Sequence, residues 1–303
     1  MIVSPANTLI GIFVRFQNFQ EQKPLSQLCT FGIGGNASYF VEVRTIAEMQ
    51  AALEICRTEK LAYFILGKGS NCLFSDHGFN GVVILNKIDF MHDHSNGVFH
   101  VGAGYSFSLL GAQTARQGWS GLEFASGIPA TVGGAVFMNA GANGAETCNT
   151  LISVDFIDAT GFLQVLKKEN LEFSYRTSPF QYLNGAIVGA TFQLTSLPTA
   201  REKQLSIIRY RQATQPYGSK SAGCIFRNPN CGYAGALIES CGLKGYSLGG
   251  AQVSPLHANF IVNKDKAKAK DVLDLMLHVQ TVIESQTGIL LESEVRFIDE
   301  LKT

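Results

Sequence analysis

The sequence predicts an α+β fold. Three observations predict it. Strands and a helix alternate near the start, short strands without helical periodicity fill the stretch from Ile152 to Leu194, and a long amphipathic helix followed by one strand closes the chain.

Taken in order, "YFVEV" (Tyr39–Val43) is rich in aromatic and β-branched residues and reads as a strand. "TIAEMQAALEICRTEK" follows, with Thr45 and Glu48 at capping-box spacing and Ile46, Met49, Leu53 and Cys56 on one helical face. "LAYFILG" is the next strand and completes a β-α-β unit. Gly81–Leu85 and Val98–Gly104 read as further strands, and Ser106–Gln117 as a helix capped by Ser106 and stopped by Gly118. Farther on, "ISVDFID", "FLQVL", "LEFSY" and "GAIVGATFQL" read as strands. The small, polar, proline-containing "LTSLPTA" (Leu194–Ala200) marks a domain boundary. A helix from about Lys270 to Thr287 carries Val272, Leu275, Met276, Val279, Val282 and Ile283 in one stripe, and Gly288 stops it. "ILLESEVRFID" reads as the final strand, with Glu292, Glu294 and Arg296 on one face and Val295 and Phe297 on the other.

A length of 303 residues supports a sizeable core. Twenty-four basic residues balance twenty-four acidic ones, so net charge offers no handle for nucleic acid or a membrane surface, and neither is expected as a partner. The charged fraction of 16% is below the ~25% usual for soluble domains, and 31 glycines point to many tight loops. Seven cysteines, an odd number without the spacing of a small stapled domain, predict reduced thiols. The apolar run Leu9–Val14 is only six residues long and is followed by Arg15, too short for a signal-peptide core or a membrane span. A cytoplasmic protein is expected.

Three glycine-rich segments stand out. "GIGGNA" (Gly32–Ala37) matches G-x-G-x-x-A, but it leads into a strand where a dinucleotide fingerprint would open a helix, so it reads as a tight turn. "LGKGSN" (Leu66–Asn71) directly follows an apolar strand, and Gly67, Lys68, Gly69, Ser70 and Asn71 could form an anion nest or an ordinary hairpin. "SGIPATVGGAVFMNAGANG" (Ser126–Gly144) is long, almost uncharged and without amphipathic period. It reads as an ordered loop whose donors are backbone amides, Thr131 and Asn139, suited to wrapping a pyrophosphate and a flat ring.

The stretches "TFGIGGNASYFVEV", "LGKGSNCLFSDHGF", "GIPATVGGAVFMNAGANG", "FSYRTSPF", "SAGCIFRNP", "GLKGYSLGGAQVSPLHANFIVN" and "LESEVRFID" occur in this order from Thr30 to Asp299. Together they resemble the UDP-N-acetylenolpyruvoylglucosamine reductase family of flavoenzymes. The resemblance implies an FAD-binding domain of the vanillyl-alcohol-oxidase type in two subdomains, residues 1–80 and 81–196, and a C-terminal α/β substrate domain, residues 197–303. The short link between "SYRTSPF" and "GAIVGATF" resembles the family's second type, which lacks an inserted substrate-covering loop. FAD would be held by Gly67, Lys68, Gly69, Ser70 and Asn71 together with Gly127, Ile128, Thr131, Gly133, Gly134, Asn139, Ala140 and Gly141. NADPH would reduce FAD, and the enolpyruvyl ether of UDP-N-acetylglucosamine would then take the hydride at its terminal carbon. Asn228, Lys244 and His257 match positions that line the diphosphate and sugar. No metal is implied, and a monomer is expected.

Hydride addition to an enol ether builds negative charge on the α-carbon and its carboxylate, which needs a fixed cation, donors and a positioned acid. The resemblance puts Arg176 and Glu294 beside that carboxylate and Cys224 at the proton donor's place, where most relatives carry serine. Arg227 stands where many relatives have lysine, and Lys68 where glycine is common. Read from the residues alone, Cys224 could be a buried thiol, a proton donor or a nucleophile paired with a base such as His257. The C-x6-C-x9-C spacing of Cys224, Cys231 and Cys241 does not suit zinc. An ordinary thiol has a pKa of about 8.5 and is mostly protonated at neutral pH. As a donor, Cys224 predicts activity falling above that pKa and loss on thiol alkylation.

Overall fold

The computed structural model describes residues 19–299, so the run Leu9–Val14 lies outside the described residues. The first sheet has the strand order Gln20–Pro24, Asn36–Val43, Phe79–Asn86, Tyr63–Leu66. The first pair is antiparallel and the other two are parallel. Helix α1 (Ile46–Thr58) makes the crossover. Thr45 accepts from the Glu48 amide, whereas the Glu48 carboxylate reaches the Arg44 N–H, one residue ahead of the expected capping-box partner. Met49, Ala52, Leu53 and Cys56 press onto Val41, Val82 and Ile84, joining the helix face to the sheet in one core.

The second sheet is antiparallel throughout, in the order Leu163–Lys167, Leu151–Asp158, Gly185–Gln193, Val98–Gly102, Met91–Asp93. Helix α2 (Phe107–Arg116) starts at Ser106, whose hydroxyl accepts from the Leu109 amide. "LEFSY" is not a strand. Ser174 and Thr177 exchange backbone hydrogen bonds around a tight turn at Tyr175 and Arg176, and Arg176 sits at φ +57°. The third glycine-rich segment is not one long loop either. It holds helix α3 (Val132–Met138), which begins at Thr131 and ends at Asn139 in the left-handed conformation. Gly133 packs so closely on Ala103 that a side chain would crowd it, which hides the helical propensity of that stretch.

Helix α4 (Ala200–Thr214) follows "LTSLP" directly. It packs on α2 and on the turn Glu123–Gly127, with Lys203 reaching the buried Glu123 at 3.2 Å. The last sheet has the order Ser221–Cys224, Phe260–Asn263, Ala251–Val253, Ser247–Leu248. Helix α5 (Ala234–Ser240) and helix α6 (Ala269–Thr287) cover it, α6 burying Val272, Leu275, Met276, Val279 and Ile283. Asp76, in the loop before Phe79–Asn86, accepts from the Ala269 and Lys270 amides at the start of α6. The final strand is shorter than expected. Only Arg296–Ile298 is extended, paired in parallel with Cys72–Phe74 of the first third of the chain. That return carries Glu294 back toward the "LGKGSN" loop. Among the described residues no helix is long and apolar enough to cross a membrane, and no cluster of metal-ligating side chains occurs.

Candidate active site

A cavity of about 860 Å3 runs between the two glycine segments, the Tyr175–Arg176 turn, α4 and the Ser221–Cys224 strand. It lies within the range typical of ligand pockets, about 300–1,000 Å3. On one wall, Arg176 Nε donates to Glu294 Oε1 at 2.7 Å, and the two side chains are 18% and 13% exposed. Asn71 fixes the backbone that carries Glu294: its amide side chain donates to the Glu294 carbonyl at 3.2 Å, and its own carbonyl accepts from Arg296 N–H at 3.1 Å. The Glu294 N–H donates to the Ile225 carbonyl at 2.8 Å, which sets Glu294 next to the strand end bearing Cys224.

The turn holding Arg176 is over-determined. Asn139, fully buried, donates to the Ser174 carbonyl and to Glu146, and Gln181 donates to the Arg176 carbonyl at 3.1 Å. These bonds stabilise a left-handed backbone that costs a non-glycine residue about 1–3 kcal/mol. The Tyr175 ring lies against both the Arg176 and Arg227 guanidinium groups, at 4.9 and 5.8 Å.

Electrostatics separate the three groups. Burial pushes the Cys224 thiol up to about 12, the nearby Glu294 carboxylate adding to the rise while Arg176 and Arg211 oppose it. Burial also raises the Glu294 carboxyl above its ordinary range, against the pull of Arg176. The Arg176 guanidinium, although desolvated, is held more firmly protonated by Glu294. The Cys224 thiol therefore stays protonated well past pH 9 and its thiolate is scarce, which moves the expected fall in activity to higher pH and makes the expected alkylation slow.

Gly67, Lys68, Gly69, Ser70, Asn71, Ile128, Thr131, Gly133, Gly134, Ala140 and Gly141 all line this cavity with Arg176, Cys224 and Glu294. Gly127 and Asn139 do not. Gly127 lies beneath Arg211, and the Asn139 side chain is consumed by the turn it supports. Asn228, Lys244 and His257 also lie off the wall, around α5: Asn228 Oδ1 accepts from the Ala234 amide, Lys244 pairs with Glu239 at 2.7 Å, and His257 faces Gly235. Burial lowers the His257 pKa. Arg211, Arg296 and Phe137 on the wall were not anticipated. Arg296 stacks on Phe137 at 4.8 Å. Arg211 belongs to α4, a helix whose sparse apolar pattern gives only a faint periodic signal.

A flavin dinucleotide fits these residues. Among the described residues, no protein acceptor takes the backbone N–H groups of Lys68, Gly69, Ser70 or Asn71, so that loop has donors for a pyrophosphate. The amides of the second segment are mostly used internally: Ile128, Ala130, Val132 and Gly133 donate to protein carbonyls and Gly134 to Thr131 Oγ1. That segment offers a surface more than an anion nest. A Cβ at Gly67 would overlap Thr131 Oγ1, so the two segments meet only because residue 67 is glycine.

Comparison with known proteins agrees with this geometry. An FAD binding domain model matches residues 37–167, and the model for the UDP-N-acetylenolpyruvoylglucosamine reductase C-terminal domain matches residues 215–298. The UDP-N-acetylenolpyruvoylglucosamine reductase of Protochlamydia amoebophila is 62% identical over 280 residues, spanning 92% of this chain and 94% of that protein. The Chlamydia muridarum enzyme of the same name is 50% identical over 279 residues, 92% and 94% of the two chains. The crystal structure of UDP-N-acetylenolpyruvylglucosamine reductase from Thermus caldophilus superposes with a TM-score of 0.77 at 38% identity, covering 92% of this chain and 98% of that one. With its α+β architecture, FAD-binding domain and matching C-terminal domain, the chain belongs to the UDP-N-acetylenolpyruvoylglucosamine reductase family, a family of FAD-dependent oxidoreductases.

Proposed function

We propose that the chain reduces UDP-N-acetyl-3-O-(1-carboxyvinyl)-glucosamine to UDP-N-acetylmuramate, a peptidoglycan precursor, with NADPH as electron donor. The observation that carries this reading is the grouping of Arg176, Glu294 and Cys224 on one wall of the cavity that also holds the unclaimed amides of Lys68–Asn71. Bound FAD would supply the carrier that takes a hydride from NADPH and delivers it to the enolpyruvyl terminal carbon. Arg176 spends its Nε on Glu294, which leaves the terminal nitrogens of its fork for the substrate carboxylate. Glu294, with its pKa raised, can hold a proton and hydrogen-bond the oxygen on which charge develops. Cys224 holds its proton on Sγ and passes it to the α-carbon as general acid. The remaining cofactor contacts, the roles of Asn228, Lys244 and His257, the three-part division at residues 80 and 196, a monomeric state and a cytoplasmic location belong to the same proposal.

The test is spectroscopic. Anaerobic NADPH should bleach the flavin band of the FAD-loaded protein, and the enolpyruvyl sugar nucleotide should restore it, while UDP-N-acetylglucosamine should not. Recovery with air alone, and none with the enolpyruvyl compound, would make the chain an oxidase of the same fold.

A further inference from the structure

The geometry points to Arg211 as the residue that grips the diphosphate of the sugar nucleotide in the cavity. This inference rests on the substrate reading above and adds a residue to it. Arg211 projects from α4 into the cavity wall and is half-buried. Its head is seated by the protein: Nε donates to Tyr217 Oη at 3.1 Å, and Tyr217 Oη donates to the Gly127 carbonyl at 3.0 Å. Its side chain covers Gly127 so closely that a Cβ there would overlap Arg211 Cδ and Nε. The ion pairs among the described residues engage Arg44, Arg57, Arg176 and Arg227 and leave Arg211 without a carboxylate. A seated, half-buried guanidinium lacking a counter-charge is a ready fork for a phosphoryl anion.

Position selects which anion. Arg211 and Cys224 line the same cavity, so the fork and the proposed proton donor face one ligand space. In the proposed substrate the enolpyruvyl ether and the diphosphate are attached to one hexose ring. A cation sharing that cavity with Cys224 is available to the diphosphate, whereas the flavin's own pyrophosphate has the free amides of Lys68–Asn71.

The experiment compares native protein with Arg211→Gln, Arg211→Lys and Tyr217→Phe, all FAD-loaded. It measures calorimetric affinity for UDP, KM and kcat for the enolpyruvyl sugar nucleotide, flavin content, and the rate of anaerobic reduction by NADPH. Arg211→Gln should weaken UDP binding and raise KM about 10- to 100-fold, with kcat within about twofold. Arg211→Lys should recover part of the affinity, and Tyr217→Phe should show a smaller rise in the same direction because the fork loses its seat. Flavin content and NADPH reduction should match native. Unchanged UDP affinity overturns the inference, as does a defect confined to flavin content or to NADPH, which would assign the fork to a dinucleotide. The UDP titration does not depend on turnover, so it judges Arg211 even if the native protein fails to reduce the enolpyruvyl compound, a result that would refute the substrate reading alone.

Discussion

Burial makes Cys224 a poor nucleophile while leaving it a proton donor, and this can be measured. Its thiol moves from an ordinary 9.0 up to about 12, with desolvation the largest cause and Glu294 next. At neutral pH its thiolate should be about 1,000-fold scarcer than that of an ordinary thiol. A higher-pKa thiolate is also more nucleophilic, which returns about 20-fold of that loss. Cys224 should then react with iodoacetamide about 50-fold more slowly than an exposed reference thiol. Cys231, exposed on the same protein, serves as that reference. The assay is a time course at about pH 7.5, with both cysteines followed by peptide mass spectrometry. Alkylation of Cys224 at the rate of Cys231 would refute the reasoning, because it would require a populated thiolate beside Glu294. The same shift predicts no loss of activity from Cys224 ionisation up to about pH 10.

Three further outcomes follow from the geometry. Glu294 is raised above its ordinary 4.5, so its protonated form is present below the folded pKa and is lost as pH rises through it; kcat should fall across that window, and Glu294→Gln, which cannot ionise, should flatten that limb of the pH–rate profile. Gly67→Ala should weaken FAD binding by about 10-fold or more, because the new methyl overlaps Thr131 Oγ1 and overpacking costs about 1–3 kcal/mol; equilibrium dialysis or flavin fluorescence measures it, and native affinity would contradict the packing account. Asp76→Ala removes both acceptors at the start of α6, and a loss of about 1 kcal/mol should lower Tm by about 2–4 °C in a thermal melt, an unchanged Tm counting against the clamp.

Much of this was legible because local chemistry and tertiary packing agree. The Thr45 and Ser106 caps start α1 and α2, and the stripe from Val272 to Ile283 is the buried face of α6. Where packing overrode local signals, the reading failed. The α3 stretch carries two glycines, one pressed on Ala103, so its helix depends on contacts absent from its own sequence. Helix α4 buries Ala200, Gln204 and Ile207 at helical spacing, but one of the three is polar and one is only alanine, so its apolar stripe is faint in the sequence. "LEFSY" has strand composition, but Asn139 and Gln181 bend it into the turn that aims Arg176. Cys224, Arg176 and Glu294 were named from ordered motifs spread over 119 residues; their meeting depends on the parallel return of Arg296–Ile298 to Cys72–Phe74, which no local pattern encodes. Arg211 was missed for the same reason as its helix.

The central claim is that a neutral thiol at Cys224 delivers the proton that completes reduction. Single-turnover stopped-flow tests it most directly: NADPH-reduced protein is mixed anaerobically with the enolpyruvyl sugar nucleotide, and flavin reoxidation is followed in native, Cys224→Ser and Cys224→Ala proteins. The account predicts that Cys224→Ala slows reoxidation by about 10²- to 10⁴-fold while reduction by NADPH stays at the native rate, and that Cys224→Ser retains most of the rate. Near-native reoxidation in Cys224→Ala would contradict it.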